Sequence, residues 1–213
     1  LFITKQKSIK KNYRGSCHVI KCDVSKEVDV RKLFLLIQKQ YGRLDLLFNN
    51  AGIGIEANTI DKIKFSDWKK VIDTNINGMF LCAKYSYKIM KEQKPKGGRI
   101  INNGSISAFS PRPGTIAYTT SKHAITGLTK SISLDGRNDN ILCSQIDIGN
   151  AETELTKSFK KGVIQPNGKK LKEATMNVED VANTIIIMFK LPLDANILNL
   201  TIMANKMPFI GRG

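Results

Sequence analysis

Apolar positions along this chain come in two alternating patterns. Short runs with apolar residues packed close together occur at 17–22, 44–48, 98–102, 141–148 and 199–203. Their length and β-branched content predict strands. Between them the apolar spacing widens to three and four residues, as on one face of a helix. Residues 26–41 carry Leu33, Phe34, Leu36 and Ile37 this way. Residues 67–91 predict one continuous long helix with Ser66 as its N-cap, and residues 117–134 a helix ended near Gly136. Asn177 predicts the cap of a helix running to Lys190, with Asp180 in its first turn. Strands that alternate with helices predict an α/β fold, a doubly wound parallel sheet covered on both faces. Residues 1–213 read as a single domain without internal repeats.

Composition narrows the class. With 41% hydrophobic and 24% charged residues, the chain has the make-up of a globular protein with a substantial core. Its apolar runs, such as Ile185-Ile-Ile-Met-Phe189, fall far short of a membrane span, and no long apolar segment marks the start as a signal peptide. The formal net charge of +16 raises the question of nucleic acid. The basic residues are mostly lysines spread along the whole chain without aromatic neighbours, so they predict a solvated surface and no specific nucleic-acid partner. The densest stretch, 157–172, contains Gly162, Pro166 and Gly168 and reads as a loop. Cys17, Cys22, Cys82 and Cys143 have no metal-ligand spacing. They predict buried, reduced thiols in a cytoplasmic protein, with no metal site.

One constellation carries chemistry. Tyr118-Thr-Thr-Ser-Lys122 puts a phenol and an ammonium at i,i+4, on one face of a helix. An adjacent cation favours the phenolate, which predicts a lowered Tyr118 pKa suited to general acid–base work. Ser105 stands thirteen positions upstream at the end of a strand. Tyr87 and Lys91 repeat the spacing, with Thr74 thirteen positions earlier. There the intervening residues read as unbroken helix, which holds the ends roughly 20 Å apart. Between Ser105 and Tyr118 lies Phe109-Ser-Pro-Arg-Pro-Gly114, a breaker cluster that lets the chain reverse. Only the second set converges. Asn103-Gly-Ser105 also matches a glycosylation sequon, which we take as coincidental because the serine belongs to this set.

These residues have company in register. Phe48-Asn-Asn-Ala-Gly52, Asp73-Thr-Asn-Ile-Asn-Gly78, Ser105, Tyr118-x-x-x-Lys122 and Asp147-Ile-Gly-Asn-Ala-Glu-Thr153 follow one another in an order and spacing that resembles the short-chain dehydrogenase/reductases. The resemblance implies a Rossmann-like fold and an oxidoreductase that moves a hydride between NADP(H) or NAD(H) and a carbonyl or alcohol substrate. Tyr118 would give or take the substrate proton. Lys122 would lower its pKa and hold the nicotinamide ribose, Ser105 would polarise the carbonyl, and Asn75 would hold a water connecting Lys122 to solvent. Asn50, Ala51 and Gly52 would let the cofactor approach the backbone. Asp23 would meet the adenine and Val24 cover it. Ile148 (where proline is common in the family), Gly149 and Thr153 would contact the nicotinamide end, and residues 154–175 would form a lid over the substrate.

One family element is missing from the sequence: the glycine-rich turn that brings a helix N-terminus to the pyrophosphate. Leu1-Phe-Ile-Thr4 resembles the family's second strand, which implies a chain lacking the first strand and first helix, N-terminally truncated, while 203–213 reads as a natural C-terminus. At the end of that second strand, where NAD-dependent enzymes carry an acid, the sequence is Thr4-Lys5-Gln6-Lys7. Lys5 would therefore favour the extra phosphate, so NADP(H) is the preferred cofactor and NAD(H) the alternative. A homodimer or homotetramer through the two long helices is implied as well. The competing readings are a sugar-nucleotide epimerase of the extended relatives, disfavoured by Asn49-Asn-Ala-Gly52, and a truncated, inactive relative acting as a binding or interaction protein.

Overall fold

The computed structural model describes residues 16–153, 156 and 162–210. Within them the elements run α1 (Glu27–Tyr41), β1 (Leu46–Asn49), α2 (Phe65–Ile72), α3 (Gly78–Glu92), β2 (Gly98–Asn103), α4 (Ile116–Asp135), β3 (Ile141–Gly149), the short strands β4 (Val163–Ile164) and β5 (Lys170–Leu171), α5 (Val178–Lys190) and β6 (Asn199–Met203). Four strands form one sheet in the order β1-β2-β3-β6, every pair parallel, and β4 and β5 make a separate antiparallel hairpin. This is the alternating α/β architecture that the sequence pattern predicts.

The adjacent residues Ile100 and Ile101 show how the sheet is buried. Successive side chains in a strand point to opposite faces. Ile100 packs with Ala83, Met90 and Cys143, while Ile101 packs with Ile146, Val181, Ile185 and Met188. Both isoleucines are fully buried, so helices cover the sheet on both sides at this strand. Each such side chain contributes about 1.5–3 kcal/mol on burial.

The structure corrects several expectations. Residues 17–22 form no strand. A strand needs a neighbour to take its backbone hydrogen bonds, and among the described residues none lies alongside. Cys17 and Cys22 are only partly buried, whereas Cys82 and Cys143 are buried, and no disulfide links them. Ser66 does not cap the long helix. The helix begins two residues earlier, at Phe65, because the Lys64 carbonyl accepts the N–H groups of Asp67 and Trp68. The long helix itself is interrupted by a π-helical turn at Asp73–Asn77, with α2 before it and α3 after. Asn177 does cap α5, its side chain accepting the Glu179 N–H. The expected strand at 1–4, the basic residues 157–161 and the end of the chain at 211–213 lie outside the described residues.

A buried arginine ties the sheet to the loop after α5. Arg99 on β2 is 1% exposed and has no acidic partner. Its guanidinium donates to the carbonyls of Leu191, Pro192 and Ala195 and to Asn196 Oδ1, at 2.9–3.3 Å. These acceptors follow the C-terminal end of α5, where the helix dipole places partial negative charge. Among the described residues no helix is long and apolar enough to cross a membrane.

Candidate active site

The site is assembled where the parallel strands end. β2 delivers Asn103-Gly104-Ser105 at its C-terminal end, and Ser105 then caps a 3-10 turn at Ile106–Ala108, its hydroxyl accepting the Ser107 N–H at 3.1 Å. The Pro-rich reversal brings the chain back into α4, which carries Tyr118 and Lys122. The Ser105 hydroxyl stands close enough to the Tyr118 phenol to favour its ionised form. Lys122 is 2% exposed, and its Nζ lies 5.4 Å from the Tyr118 ring centre and donates to the Asn103 carbonyl at 2.7 Å. The three groups converge.

The decoy set does not. Tyr87 donates to the Asp135 carbonyl and Lys91 pairs with Asp139, so both serve as outer braces between helices.

Asn75 lies at the middle of the π-helical turn and is fully buried. Its side chain clamps Ile53 by both backbone groups, accepting from the N–H at 2.8 Å and donating to the carbonyl at 2.9 Å. Its second amide hydrogen goes to Ser121 Oγ at 3.0 Å. The amide thereby joins the turn after β1 to the helix of Tyr118. With both donors engaged, this side chain acts through the backbone it fixes.

An open cleft of about 1070 Å³ runs over the strand ends. Ser105, Tyr118, Asn50, Ile148 and Thr153 line it, together with Arg112 and apolar side chains of α5. Asn50 is fixed at its mouth by Asn103, whose amide donates to Asn50 Oδ1 at 2.7 Å. Ala51 and Gly52 are exposed beside it. Gly149 faces Met203 and Met207 closely enough that a Cβ would collide with both. Asp23 and Val24 do not line this cleft. Asp23 accepts from the backbone and hydroxyl of Ser25 and pairs with Lys26, which starts α1. Val24 fills the space over Gly78, where a Cβ would approach it to 2.8 Å. Lys5 lies outside the described residues.

The charge balance differs from the expectation. Burial pushes the Tyr118 phenol up from its ordinary value, opposed by the Ser105 hydroxyl and the Arg112 charge and reinforced by Asp147. Lys122 is itself pushed down to about 8 by burial, with Asp147 opposing. Tyr118 therefore holds its proton at neutral pH. Lys122 titrates at 10.5 when unperturbed, so between pH 8 and 10.5 the unfolded chain binds more protons there than the folded one, and stability rises with pH. The unfolding free energy of the wild type is expected to gain about 3 kcal/mol on Lys122→Met across that window. Paired denaturant titrations at the two ends check this, and a constant difference would contradict it.

Several residues of the site were not legible as such. Arg112 sits within the breaker cluster and joins Glu173 and Asn150, while Gln165 donates to the same carboxylate, so the hairpin is tied down over the cleft. Asp147 lies fully buried beneath Ser105. The available signal was Gln145 and Asp147, two polar residues at the same strand phase in a run predicted to be buried. Among the described residues, no three His, Cys, Asp or Glu side chains come together as a metal site.

Comparison with known proteins agrees with this geometry. A 3beta-hydroxysteroid dehydrogenase of Mediterraneibacter gnavus is 39% identical over 142 residues, covering 67% of this chain and 50% of that protein. The chain thus matches about half the length of that relative. A farnesol dehydrogenase of Aedes aegypti is 30% identical, with 87% of this chain and 74% of that protein covered. Among solved structures, ElxO with NADP bound superposes with a TM-score of 0.80 at 29% identity, covering 95% of this chain and 84% of that one. The family described as short chain dehydrogenase matches residues 4–163. With its parallel sheet and its converging serine, tyrosine and lysine, this chain belongs to the short chain dehydrogenase family.

Proposed function

We propose that this protein is an oxidoreductase that transfers a hydride between NADP(H) and a carbonyl or alcohol substrate, with Tyr118 as the proton donor and acceptor. The observation that carries this reading is the convergence of Ser105, Tyr118 and Lys122 at the edge of one cleft at the strand ends.

The residues present suit a dinucleotide. Exposed backbone at Ala51 and Gly52 leaves room for close approach, and Asn50 and Thr153 offer polar groups on the cleft wall. Lys122 Nζ has three donors, of which the Asn103 carbonyl takes one. When bound, the nicotinamide supplies or accepts the hydride. The protein's own residues do the rest. Ser105 orients the substrate oxygen against the phenol. Tyr118, kept protonated by burial, releases its proton to that oxygen in reduction. Lys122, with a pKa of about 8, can then share charge with the phenolate that remains. Asn75 holds the turn after β1 and the helix of Tyr118 at a fixed separation.

Cofactor preference follows from Lys5 and the absence of an acid in Thr4-Lys5-Gln6-Lys7, and NADP is also what the ElxO structure holds. Oxidation of NADPH with a panel of ketones and aldehydes tests the activity. NADPH is expected to exceed NADH in kcat/KM by about tenfold or more; comparable values for the two would refute the preference. Exposed Phe65, Phe80 and Leu134 on the long helices fit a homodimer or homotetramer as the assembled form.

A further inference from the structure

Beside Arg99, two buried charges among the described residues make no ion pair, and both stand at the active site. Among the described residues the buried acids are Asp139, Asp147 and Glu173. Asp139 is paired with Lys91 and Lys96, and Glu173 with Arg112. Asp147 makes no such pair; nor does Lys122, which a carbonyl holds. An isolated buried charge is costly, so each invites a specific reason.

For Asp147 the surroundings supply it. Oδ1 accepts the Ser105 main-chain N–H at 2.8 Å and Gln145 Nε2 at 2.7 Å, and Oδ2 accepts Asn199 Nδ2 at 2.8 Å. The carboxylate receives three donors and is fully buried. Gly104 is what lets it reach Ser105, because a Cβ there would stand 2.1 Å from Oδ1. The side chain thus grips the end of β2 one residue before the chain turns, at the point where the Ser105 hydroxyl is aimed. Its field also reaches Tyr118 and Lys122.

We infer that Asp147 is the positioning residue of this cluster, holding Ser105 by its main-chain N–H and placing a buried counter-charge two residues along the chain from the Asn103 carbonyl that holds Lys122. The inference rests on reading Ser105, Tyr118 and Lys122 as the reacting set, but its consequences are visible without turnover. Burial drives Lys122 toward its neutral form, and the Asp147 charge is the influence that opposes it. Around Tyr118, Arg112 and the Ser105 hydroxyl act in one direction and Asp147 in the other. Removing the Asp147 charge therefore favours neutral Lys122 and eases ionisation of Tyr118.

Asp147→Asn is the matched test. A flipped Asn199 amide can accept from the new Nδ2, so the hydrogen bonds survive while the charge is lost. In protein labelled at the lysine ε-carbon, the Lys122 resonance (assigned by its loss in Lys122→Met) is followed against pH by NMR. The Lys122 midpoint is expected to move to lower pH, cutting the protonated fraction at pH 8 roughly threefold. A folded Asp147→Asn protein with an unchanged midpoint would overturn the counter-charge role. Asp147→Ser, smaller and neutral, gives the same reading if the asparagine variant does not fold. In the wild type, the Ser105 amide proton is expected far downfield and slow to exchange, as a donor to a buried carboxylate should be. An ordinary shift with fast exchange would overturn the hold on Ser105, whether or not either variant folds. None of these readouts needs cofactor or substrate, so failure of the proposed activity would leave them intact.

Discussion

Replacing Tyr118 by phenylalanine is expected to lower kcat about 10²–10⁴-fold, the range set by loss of a positioned proton donor. The fold should be little changed. The ring remains against Lys122, 5.4 Å from Nζ, and the phenol lies by the Ser105 hydroxyl at the cleft. Thermal midpoints of the two proteins should therefore lie close together, while turnover separates them. The sign of the pH dependence follows from the same burial. Tyr118 holds its proton at neutral pH, so carbonyl reduction should persist there and fall on the alkaline side as the phenol ionises. A Tyr118→Phe protein with near wild-type kcat would remove the tyrosine from the mechanism.

Replacing Arg99 by methionine is expected to have the largest effect on stability. The guanidinium, itself buried, donates to three carbonyls and an asparagine oxygen in a part-buried loop. Methionine matches the stem but supplies no donor, so those acceptors are stranded. Losing four hydrogen bonds from a buried cation to part-buried acceptors costs about 3–5 kcal/mol. For a chain of this size that corresponds to a fall in Tm of about 6–15 °C. Part of the arginine's own burial penalty is recovered, since Arg99 carries its charge with no acid beside it and with Nε unpartnered. If that recovery dominated, the methionine variant would match or exceed the wild type, and a melt would show it directly. Activity is the control. Arg99 lies on the first residues of β2 while the site is at the other end, so residual folded protein should turn over normally.

The two substitutions divide the molecule along the sheet. The C-terminal ends of the strands carry the proposed active site; the N-terminal end of β2 carries a brace that holds the loop after α5. Parallel strands make this division natural, because every strand that ends at the cleft begins on the opposite side.

Periodicity in the sequence determined the elements themselves: α1, β2, α4, β3, α5 and β6 fall within one or two residues of the predicted spans. The converging set was also legible there, since the Pro-Arg-Pro-Gly break is a local property that separates Tyr118 from its counterpart at Tyr87. What it left undecided depends on neighbours distant in sequence. Residues 17–22 have strand composition but, among the described residues, no adjacent strand, and pairing is not encoded in one run of residues. The Tyr118 pKa follows burial, which a helix-face argument cannot see, so the expected lowering by Lys122 became a rise by desolvation. Asp147 lies 42 residues from the amide it grips, and Arg99 lies 92–97 from its acceptors. Helix and strand patterns arise from contacts a few residues apart and are written locally; the charge and hydrogen bonding of a buried group are set by whatever packs against it, and only the tertiary structure decides that.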